Sequence, residues 1–293
     1  MHEVKSIESI QSTNDFVIKF ANVNGSGSAS ANQMFAKAMF RMGIPVSPKN
    51  IFPSNIQGLP TWFEVRVNEK GYLGSRGGVD IAVAMNPQSY SKDVDEILPG
   101  GYLIYDSTWK RNFNRKDITV IEIPLTQLCV EAFKNPKQRP LFKNIAYVGA
   151  LSVLLDIEYE VLENIISEQF IKKPALIEPN LKALNLGRNY VLENLPYPLG
   201  ITVSRADKLE DKILISGNEA AGLGAVYGGA TFCSWYPFTP STSLAEGYEK
   251  YAKKFRIENN TGKNLYASVQ AEDELAAIAV SYTHLTLPTT AYV

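Results

Sequence analysis

The chain has 293 residues, of which 45% are hydrophobic, and a formal net charge of −1. This length and apolar fraction allow one large domain or two ordinary domains with a sizeable core. The near-neutral charge argues against nucleic acid as a main partner, because phosphate binding requires clustered lysine and arginine. The densest basic run, Lys110–Lys116, has the composition of a solvated loop. No apolar run approaches the roughly 18 residues that span a bilayer, so no membrane segment is expected.

Cysteine and histidine are both scarce in the chain. Cys129 and Cys233 lie far apart and have no second cysteine nearby, so this chain alone cannot hold an iron–sulfur cluster or a structural zinc. We expect both thiols to be small core residues in a reducing cytoplasm. His2 lies at the N-terminus and His284 in the C-terminal tail, which argues against triad or metal chemistry based on histidine. Acid–base chemistry then depends on carboxylates, hydroxyls or a cofactor.

Strands and helices alternate over the first two thirds of the chain, which predicts a mostly parallel α/β domain ending near Asn194. One helix places Met34, Phe35 and Met39 on one side and ends at Gly43. Residues 44–60 are rich in turn formers and are predicted to be irregular. The predicted strands are residues 16–23, 61–69, 79–86, 100–108 and 118–125, and the predicted helices are 31–43, 144–156 and 159–170.

A second α/β unit is predicted after a proline-containing and then charged stretch, residues 196–212, which has the composition of a linker. Its pattern is a strand at 213–216, a helix rich in small residues, a strand, a polar loop, a helix, a strand at 264–270 and a final helix from 271. We therefore expect a first domain over 1–195 and a second unit over 213–280.

The C-terminal tail departs from the pattern before it. Residues 280–289 match the translation of a transposase adapter used in sequencing libraries, so we expect residues 281–293 to be an adapter artefact and the natural protein to continue beyond 280. The alternative is a native β-rich tail.

A glycine-rich loop separates the first strand from the first helix. Gly25, Ser26, Gly27 and Ser28 have the layout of a dinucleotide or anion loop, in which glycine lets the backbone approach a phosphate at a helix start. The third glycine of that fingerprint is Ser30, and no acidic residue ends the second strand. The loop is either an anion site or purely structural.

The stretch "YPFTPSTSLAE", residues 236–246, precedes a predicted helix. Thr239 and Pro240 fit an N-cap followed by the first helical position, and Ser243 with Glu246 has capping-box spacing. One interpretation is a well-capped helix. The other is that the hydroxyls of Thr239, Ser241 and Thr242 face an anionic ligand.

A run of three acids, residues 272–274, is predicted to occupy the first turn of the last helix, where acids suit the helix dipole. Glu274 differs from the other two because its helical neighbours are mostly apolar. A buried carboxyl there would have a raised pKa and could share a proton with a ring nitrogen.

At these residues the sequence resembles the 2-oxoacid:ferredoxin oxidoreductases, which are thiamine-diphosphate enzymes. Residues 217–246 and 269–279 are similar to the start of the family's pyrimidine-binding domain. The Gly25 loop and residues 52–60 and 79–87 are similar to its Rossmann-like gamma domain. The gamma-then-alpha order is typical of the fused alpha subunit of the 2-oxoglutarate branch. The loop "NGSGSAS" departs from the family's usual G-x-G-G-x-G.

The resemblance implies roles for particular residues. Glu274 would hydrogen-bond the aminopyrimidine ring, Tyr236 and Pro237 would line the cofactor wall, and Thr239 with residues 240–242 would contact the substrate carboxylate. The gamma domain would help to close over coenzyme A. The beta subunit would carry the diphosphate site, Mg²⁺ and the iron–sulfur cluster, and ferredoxin would accept the electrons.

Two rival functions follow from the same sequence. One is a non-enzymatic α/β module that binds a nucleotide such as NAD through the Gly25 loop. The other is a member of the same family specific for pyruvate or a branched-chain oxoacid.

Overall fold

The computed structural model describes residues 9–23, 26–52, 60–238 and 241–284. The chain divides into two compact units, with the division between Lys212 and Ile213. No described helix is both long enough and apolar enough to cross a membrane.

Unit 1 is a mixed α/β fold built on a six-stranded sheet. The strands of unit 1 are β1 (Ser12–Thr13), β2 (Asp15–Val23), β3 (Val46–Ile51), β4 (Pro60–Asn68), β5 (Val79–Ala84), β6 (Ile97–Asp106), β7 (Thr119–Ile123) and β8 (Ile201–Thr202). The sheet order is β3-β4-β2-β5-β6-β7, in which β2, β5, β6 and β7 run parallel and β4 runs antiparallel to both of its neighbours, β2 and β3. The predicted α/β class is confirmed, with an antiparallel end added to the parallel sheet.

The helices of unit 1 bury apolar stripes against this sheet and against one another. They are α1 (Ser28–Arg41), α2 (Tyr90–Asp95), α3 (Leu125–Ala132), α4 (Arg139–Leu154), α5 (Tyr159–Gln169) and α6 (Ile177–Asn194). In α1 the predicted face is buried, including Met34, Phe35 and Met39. Gly43 follows the helix with φ +77°, which is the left-handed conformation expected of a helix-ending glycine.

β3 corrects the prediction of an irregular stretch over 44–60. Val46–Ile51 pairs antiparallel with β4 at the edge of the sheet. Pro48, which cannot donate a backbone hydrogen bond, is tolerated in an edge strand because no described strand pairs with the outer side of β3.

The segment predicted as a linker, residues 196–212, packs on unit 1. Ile201 and Val203 are buried, and the Val203 N–H donates to the Leu155 carbonyl (2.7 Å). Further along, the Ala206 N–H donates to the Met42 carbonyl (2.8 Å). Alternating apolar side chains in "GITVS" hold this stretch on the unit despite its prolines and charges.

Helices α4 and α6 cross at two glycines. A Cβ atom built on Gly149 would lie 1.9 Å from the Leu184 carbonyl oxygen, and one built on Gly187 would lie 1.8 Å from the Ala146 carbonyl oxygen. The two backbones therefore meet at a distance that only glycine allows.

Unit 2 is a smaller α/β arrangement around a two-stranded parallel sheet. Its elements are α7 (Gly217–Tyr227), β9 (Phe232–Trp235), α8 (Thr242–Phe255), β10 (Ala267–Gln270) and α9 (Glu274–His284). The core of this unit is small, with Val226, Tyr248 and Ala252 buried together. The predicted strand at 213–216 is absent, and Ile213 is exposed, because no described strand pairs with that segment.

Candidate functional site

The candidate site residues lie where parallel strands end. The Gly27 loop follows β2 in unit 1, while the Tyr236 loop and the start of α9 follow β9 and β10 in unit 2. Ligands of open α/β sheets bind outside the carboxyl ends of the strands. Each unit therefore presents candidate residues at the edge where a ligand is expected.

The Gly27 loop is tightly built. Gly27 adopts φ +73° directly before α1, and a Cβ there would lie 2.2 Å from a methyl carbon of Leu141. The Ser26 carbonyl accepts a hydrogen bond from Asn144 Nδ2 (2.8 Å) and the Gly27 carbonyl accepts one from Ser30 Oγ (3.2 Å). Gly25 lies outside the described residues.

A cavity of about 380 Å³ lies beside Gly27 and the first turn of α1. Asn22 lies in its wall and is almost fully buried, yet its Oδ1 has no hydrogen-bond partner among the residues that the structure describes. Asn32, also in the wall, accepts a hydrogen bond from the Tyr147 hydroxyl (2.6 Å). The other lining residues are uncharged: Val23, Ser28, Ala29, Asn50, Phe52, Thr61, Trp62 and Phe63. The cavity offers amides, aromatic rings and the start of a helix to a ligand. A donor group on a ligand could satisfy the Asn22 oxygen.

Sequence reasoning located the Gly27 loop but missed Asn22 and Asn32. The available signal was the position of Asn22 at the end of an otherwise apolar strand, "FVIKFANV". Its unpartnered oxygen is visible only once the fold is known.

Another cavity, of about 670 Å³, lies at the amino ends of β2, β5 and β6. The cations in its wall are paired with carboxylates, in the pairs Lys19–Glu96, Arg66–Asp15, Arg76–Asp80 and Arg115–Asp117. The cations there are neutralised within the fold and are not available to an anionic ligand, so this cavity is a weaker candidate than the one beside Gly27.

In unit 2, β9 and β10 bring two predicted site segments together. Trp235 pairs with Gln270, and the Ala271 N–H donates to the Trp235 carbonyl (2.8 Å). Tyr236, which is half-buried, and the exposed Pro237 therefore leave the sheet beside the segment that leads to Glu274.

The start of α8 differs from the predicted caps. Thr239 and Pro240 lie outside the described residues, and Ser241 is the residue before the first helical residue, Thr242. The hydroxyls of Ser241 and Thr242 donate to the Phe238 carbonyl (2.6 and 3.4 Å).

The predicted capping box of Ser243 and Glu246 is not formed. Ser243 lies inside α8, and its Oγ accepts a hydrogen bond from Asn218 Nδ2 of α7 (2.8 Å). The side chain is therefore used between two helices rather than at a helix end.

The acidic run before α9 is divided between two roles. The helix begins at Glu274, so Glu272 and Asp273 precede it, and Asp273 Oδ1 caps it by accepting the Ala276 N–H (2.6 Å). The predicted burial of Glu274 is wrong, because its side chain is exposed. Leu275 and its neighbour Ile278 are also exposed, so no described layer covers this part of α9.

The two thiols differ in environment. Cys129 is fully buried, as predicted, and burial raises its thiol pKa to about 12. Cys233 is only half-buried, and burial raises its pKa as well. Among the residues that the structure describes, no three His, Cys, Asp or Glu side chains group together as a metal site.

Residues 17–190 match the family Pyruvate ferredoxin/flavodoxin oxidoreductase. The chain belongs to this family. The resemblance seen in the sequence is thereby confirmed. A relative within it, 2-oxoacid:ferredoxin oxidoreductase 2, subunit alpha, of Aeropyrum pernix, is 24% identical over 90% of this chain and 48% of its own length. The 2-oxoglutarate oxidoreductase subunit KorA of Mycobacterium tuberculosis is 25% identical over 92% of this chain and 45% of its own length.

Solved structures of the family share the fold. The 2-oxoglutarate:ferredoxin oxidoreductase from Magnetococcus marinus, with 2-oxoglutarate, coenzyme A and succinyl-CoA bound, matches 91% of this chain with TM-score 0.74 and 29% identity, over 45% of its own chain. The gamma subunit of a keto/oxoacid ferredoxin oxidoreductase from Geobacter sulfurreducens matches 61% of this chain and 99% of its own, with TM-score 0.51 and 20% identity. The chain spans about half the length of the curated relatives it matches.

Proposed function

We propose that this chain is part of the alpha subunit of a 2-oxoacid:ferredoxin oxidoreductase, with 2-oxoglutarate as the first choice of substrate. The complex converts a 2-oxoacid and coenzyme A to acyl-CoA and CO₂ and reduces ferredoxin in the cytoplasm. The observation that carries this proposal is the match to the Magnetococcus marinus enzyme across both units.

The residues of unit 2 suit a thiamine-diphosphate site shared with a beta subunit. Glu274 is exposed at the carboxyl edge of the β9–β10 sheet, and no hydrogen bond or ion pair occupies its carboxylate among the described residues. A free acceptor at that edge fits a ring nitrogen that must be held by a hydrogen bond. Tyr236 and Pro237 leave the same edge and form the adjoining wall.

The chemistry divides between this chain and the groups it holds. Thiamine diphosphate, when bound, supplies the electron sink for decarboxylation. Glu274 holds a proton at the aminopyrimidine ring, while Thr239, Pro240, Ser241 and Thr242 orient the carboxylate end of the oxoacid. The diphosphate, its Mg²⁺ and the iron–sulfur cluster belong to the beta subunit.

In unit 1, the cavity beside Gly27 is the proposed contact for coenzyme A. Its amides and the start of α1 suit the polar parts of that molecule, and the Asn22 oxygen, which has no partner among the described residues, can accept a hydrogen bond from it. Ser26 and Ser28 flank this cavity, and Gly27 keeps the backbone close to it.

The decisive experiment is turnover by the full-length chain assembled with its beta subunit. 2-Oxoglutarate, pyruvate and a branched-chain oxoacid are each supplied with coenzyme A, and ferredoxin reduction and CO₂ release are measured. We expect the highest kcat/KM with 2-oxoglutarate. A preference for another oxoacid would correct the substrate, and no turnover of any oxoacid would overturn the proposal.

The rival nucleotide-binding function is tested separately. Titration of the chain with NAD, in the absence of the beta subunit, should show no saturable binding. Micromolar NAD binding that is lost in a Gly27→Ala variant would favour the rival.

A further inference from the structure

Two loops of unit 1 carry cations that have no carboxylate partner among the described residues. The first loop follows β6 and the second joins α3 to α4. Between them the indole of Trp109 is 61% exposed. We name this surface the basic patch, and its members are Trp109, Lys110, Arg111, Lys134, Lys137 and Arg139.

The two loops of the basic patch lie side by side at the carboxyl edge of the sheet. Trp109 and Arg139 line the same cavity, of about 300 Å³. Two residues after Arg139, Leu141 packs against Gly27, and Asn144 of the same helix donates to the Ser26 carbonyl. The basic patch therefore adjoins the candidate ligand site of unit 1.

The first loop is held in place before any partner arrives. Thr108 Oγ1 donates to Asp106 Oδ1 (2.7 Å) and accepts the Gln127 N–H (3.1 Å), which fixes the chain directly before Trp109. Further along, the ring of Phe113 packs edge-on against Tyr105 with 5.0 Å between ring centres. A preorganised loop loses little conformational freedom on binding, which favours affinity.

The charge distribution selects the kind of partner. The whole chain has a net charge of −1, so five cations in one patch, none with a carboxylate partner among the described residues, leave the rest of the chain net acidic. A long polyanion such as nucleic acid would extend beyond the patch and be repelled by the acidic surface around it. A compact acidic face on a protein would contact the patch alone and would not be repelled. Exposed tryptophan and arginine are also the residues most enriched in the energetic centres of protein interfaces.

We propose that the basic patch docks a carboxylate-rich face of the partner subunit that completes the ligand site beside Gly27. The inference rests on the proposed function, which supplies that subunit. The partner closes the carboxyl edge of unit 1, with the Trp109 ring at the centre of the contact and the lysines and arginines at its rim.

The test measures the Kd between the separately purified full-length chain and beta subunit, by isothermal titration calorimetry at 50 and 500 mM NaCl. In the double variant Lys110→Glu with Lys137→Glu we expect Kd to rise about 10-fold or more at low salt and much less at high salt. The control is Lys172→Glu with Lys173→Glu. These exposed lysines follow α5, whose Glu168 pairs with Arg41 at the opposite end of α1, and we expect less than about a twofold change.

A second variant tests the apolar centre of the contact. Trp109→Ala is expected to raise Kd about 10-fold at both salt concentrations, because the indole contact is not screened. Tyr72→Ala removes another exposed aromatic ring and serves as its control. An unchanged Kd in both patch variants would overturn the proposal.

Two further measurements distinguish protein docking from binding of coenzyme A or of nucleic acid at the basic patch. With beta subunit at saturation and methyl viologen as acceptor, the KM for coenzyme A should be the same in the patch variant and its control. A raised KM with unchanged Kd, or tight binding of a single-stranded DNA 20-mer, would each contradict protein docking. If the wild-type complex turned over no 2-oxoacid, the proposed function would be contradicted. The Kd values would still test whether the basic patch is the docking surface.

Discussion

Asp273 and Glu274 are adjacent acids with separate tasks. Asp273 accepts the Ala276 N–H and so stabilises the start of α9, whereas the exposed Glu274 carboxylate has no bond to any residue that the structure describes. A carboxylate used for stability is bonded within the fold, and one used for a ligand is left available. The structure therefore leaves Glu274, unlike Asp273, available to a ligand, as the proposed function requires.

Replacing Glu274 by glutamine should separate function from folding. In the full-length complex we expect kcat with the preferred 2-oxoacid to fall about a thousandfold, since proton handling by a positioned side chain contributes on that scale. The circular dichroism spectrum should not change, because the side chain is exposed. The matched control is Glu272→Gln, which lies outside the helix and should keep full activity. Equal activity of both variants would remove Glu274 from the mechanism.

Asp80 shows the opposite situation, a carboxyl used within the fold. It is buried, accepts the Val17 N–H (2.6 Å) and pairs with Arg76. Burial raises its pKa above the ordinary value of 3.8, and this effect outweighs the lowering by the Val17 hydrogen bond and Arg76.

The raised pKa of Asp80 predicts a pH dependence of stability. The folded state holds the proton more tightly than the unfolded state, so the free energy of unfolding falls as pH rises from the ordinary pKa through the folded pKa. Asp80→Asn keeps a hydrogen-bond acceptor without the charge, so this decline in the free energy of unfolding should disappear. Urea unfolding between pH 4 and 8 measures it. Parallel curves for the variant and the wild type would contradict the assignment.

At the scale of elements, the α4–α6 crossing has the sharpest steric constraint. Gly149→Ala places a methyl group against the Leu184 carbonyl, which cannot move without shifting the helix. We expect a loss of about 3 kcal/mol in the free energy of unfolding, from urea denaturation. Gly74→Ala is the control, because no atom lies within 4 Å of the added methyl, and it should change stability by less than about 0.5 kcal/mol. A similar small effect at Gly149 would mean that the helices separate easily.

The elements that the sequence predicted are those with strong periodicity and clear ends. β2 and α1 were found because apolar spacing and Gly43 mark them. β3 was missed because Pro48 reads as a turn former, although the edge of a sheet accepts it. Ile201 and Val203 were assigned to a linker because prolines and charges surround them.

The candidate site was predictable only in part, because a sequence pattern marks local features but not the surroundings of a side chain in the fold. A strand–glycine–helix layout marks Gly27 in the sequence, whereas the unpartnered oxygen of Asn22 depends on what surrounds it in three dimensions. For Glu274, the apolar neighbours three and four residues away suggested burial. Those neighbours show which residues share a helix face, but not whether another layer covers that face.

At the scale of the whole molecule, the two units differ in how much apolar surface they bury. Unit 1 has a six-stranded sheet with several helices, while unit 2 has a two-stranded sheet and a core of few residues. In α9, Leu275 is 79% exposed and Ile278 is 66% exposed. Small cores and short sheets are marginal in stability.

Hydrogen exchange should therefore distinguish the units in this 293-residue chain. We expect slow amide exchange for the strands and buried helices of unit 1 and fast exchange for residues 213–280, because local opening costs little free energy where few apolar contacts are broken. Exchange followed by mass spectrometry of peptides measures both in one sample. Uniform protection through residue 280 would contradict the expected difference.

Trp62 connects the cavity beside Gly27 with a buried carboxylate and an ammonium group. Its ring lines the cavity beside Gly27, its Nε1 donates to buried Asp93 (2.7 Å), and the ammonium of Lys92 lies 4.2 Å from the ring centre. An indole fixed in this way is an intrinsic optical probe, because its emission responds to charges and dipoles beside the ring. Occupancy of the cavity can thus be followed in the native chain by light, with no dye attached.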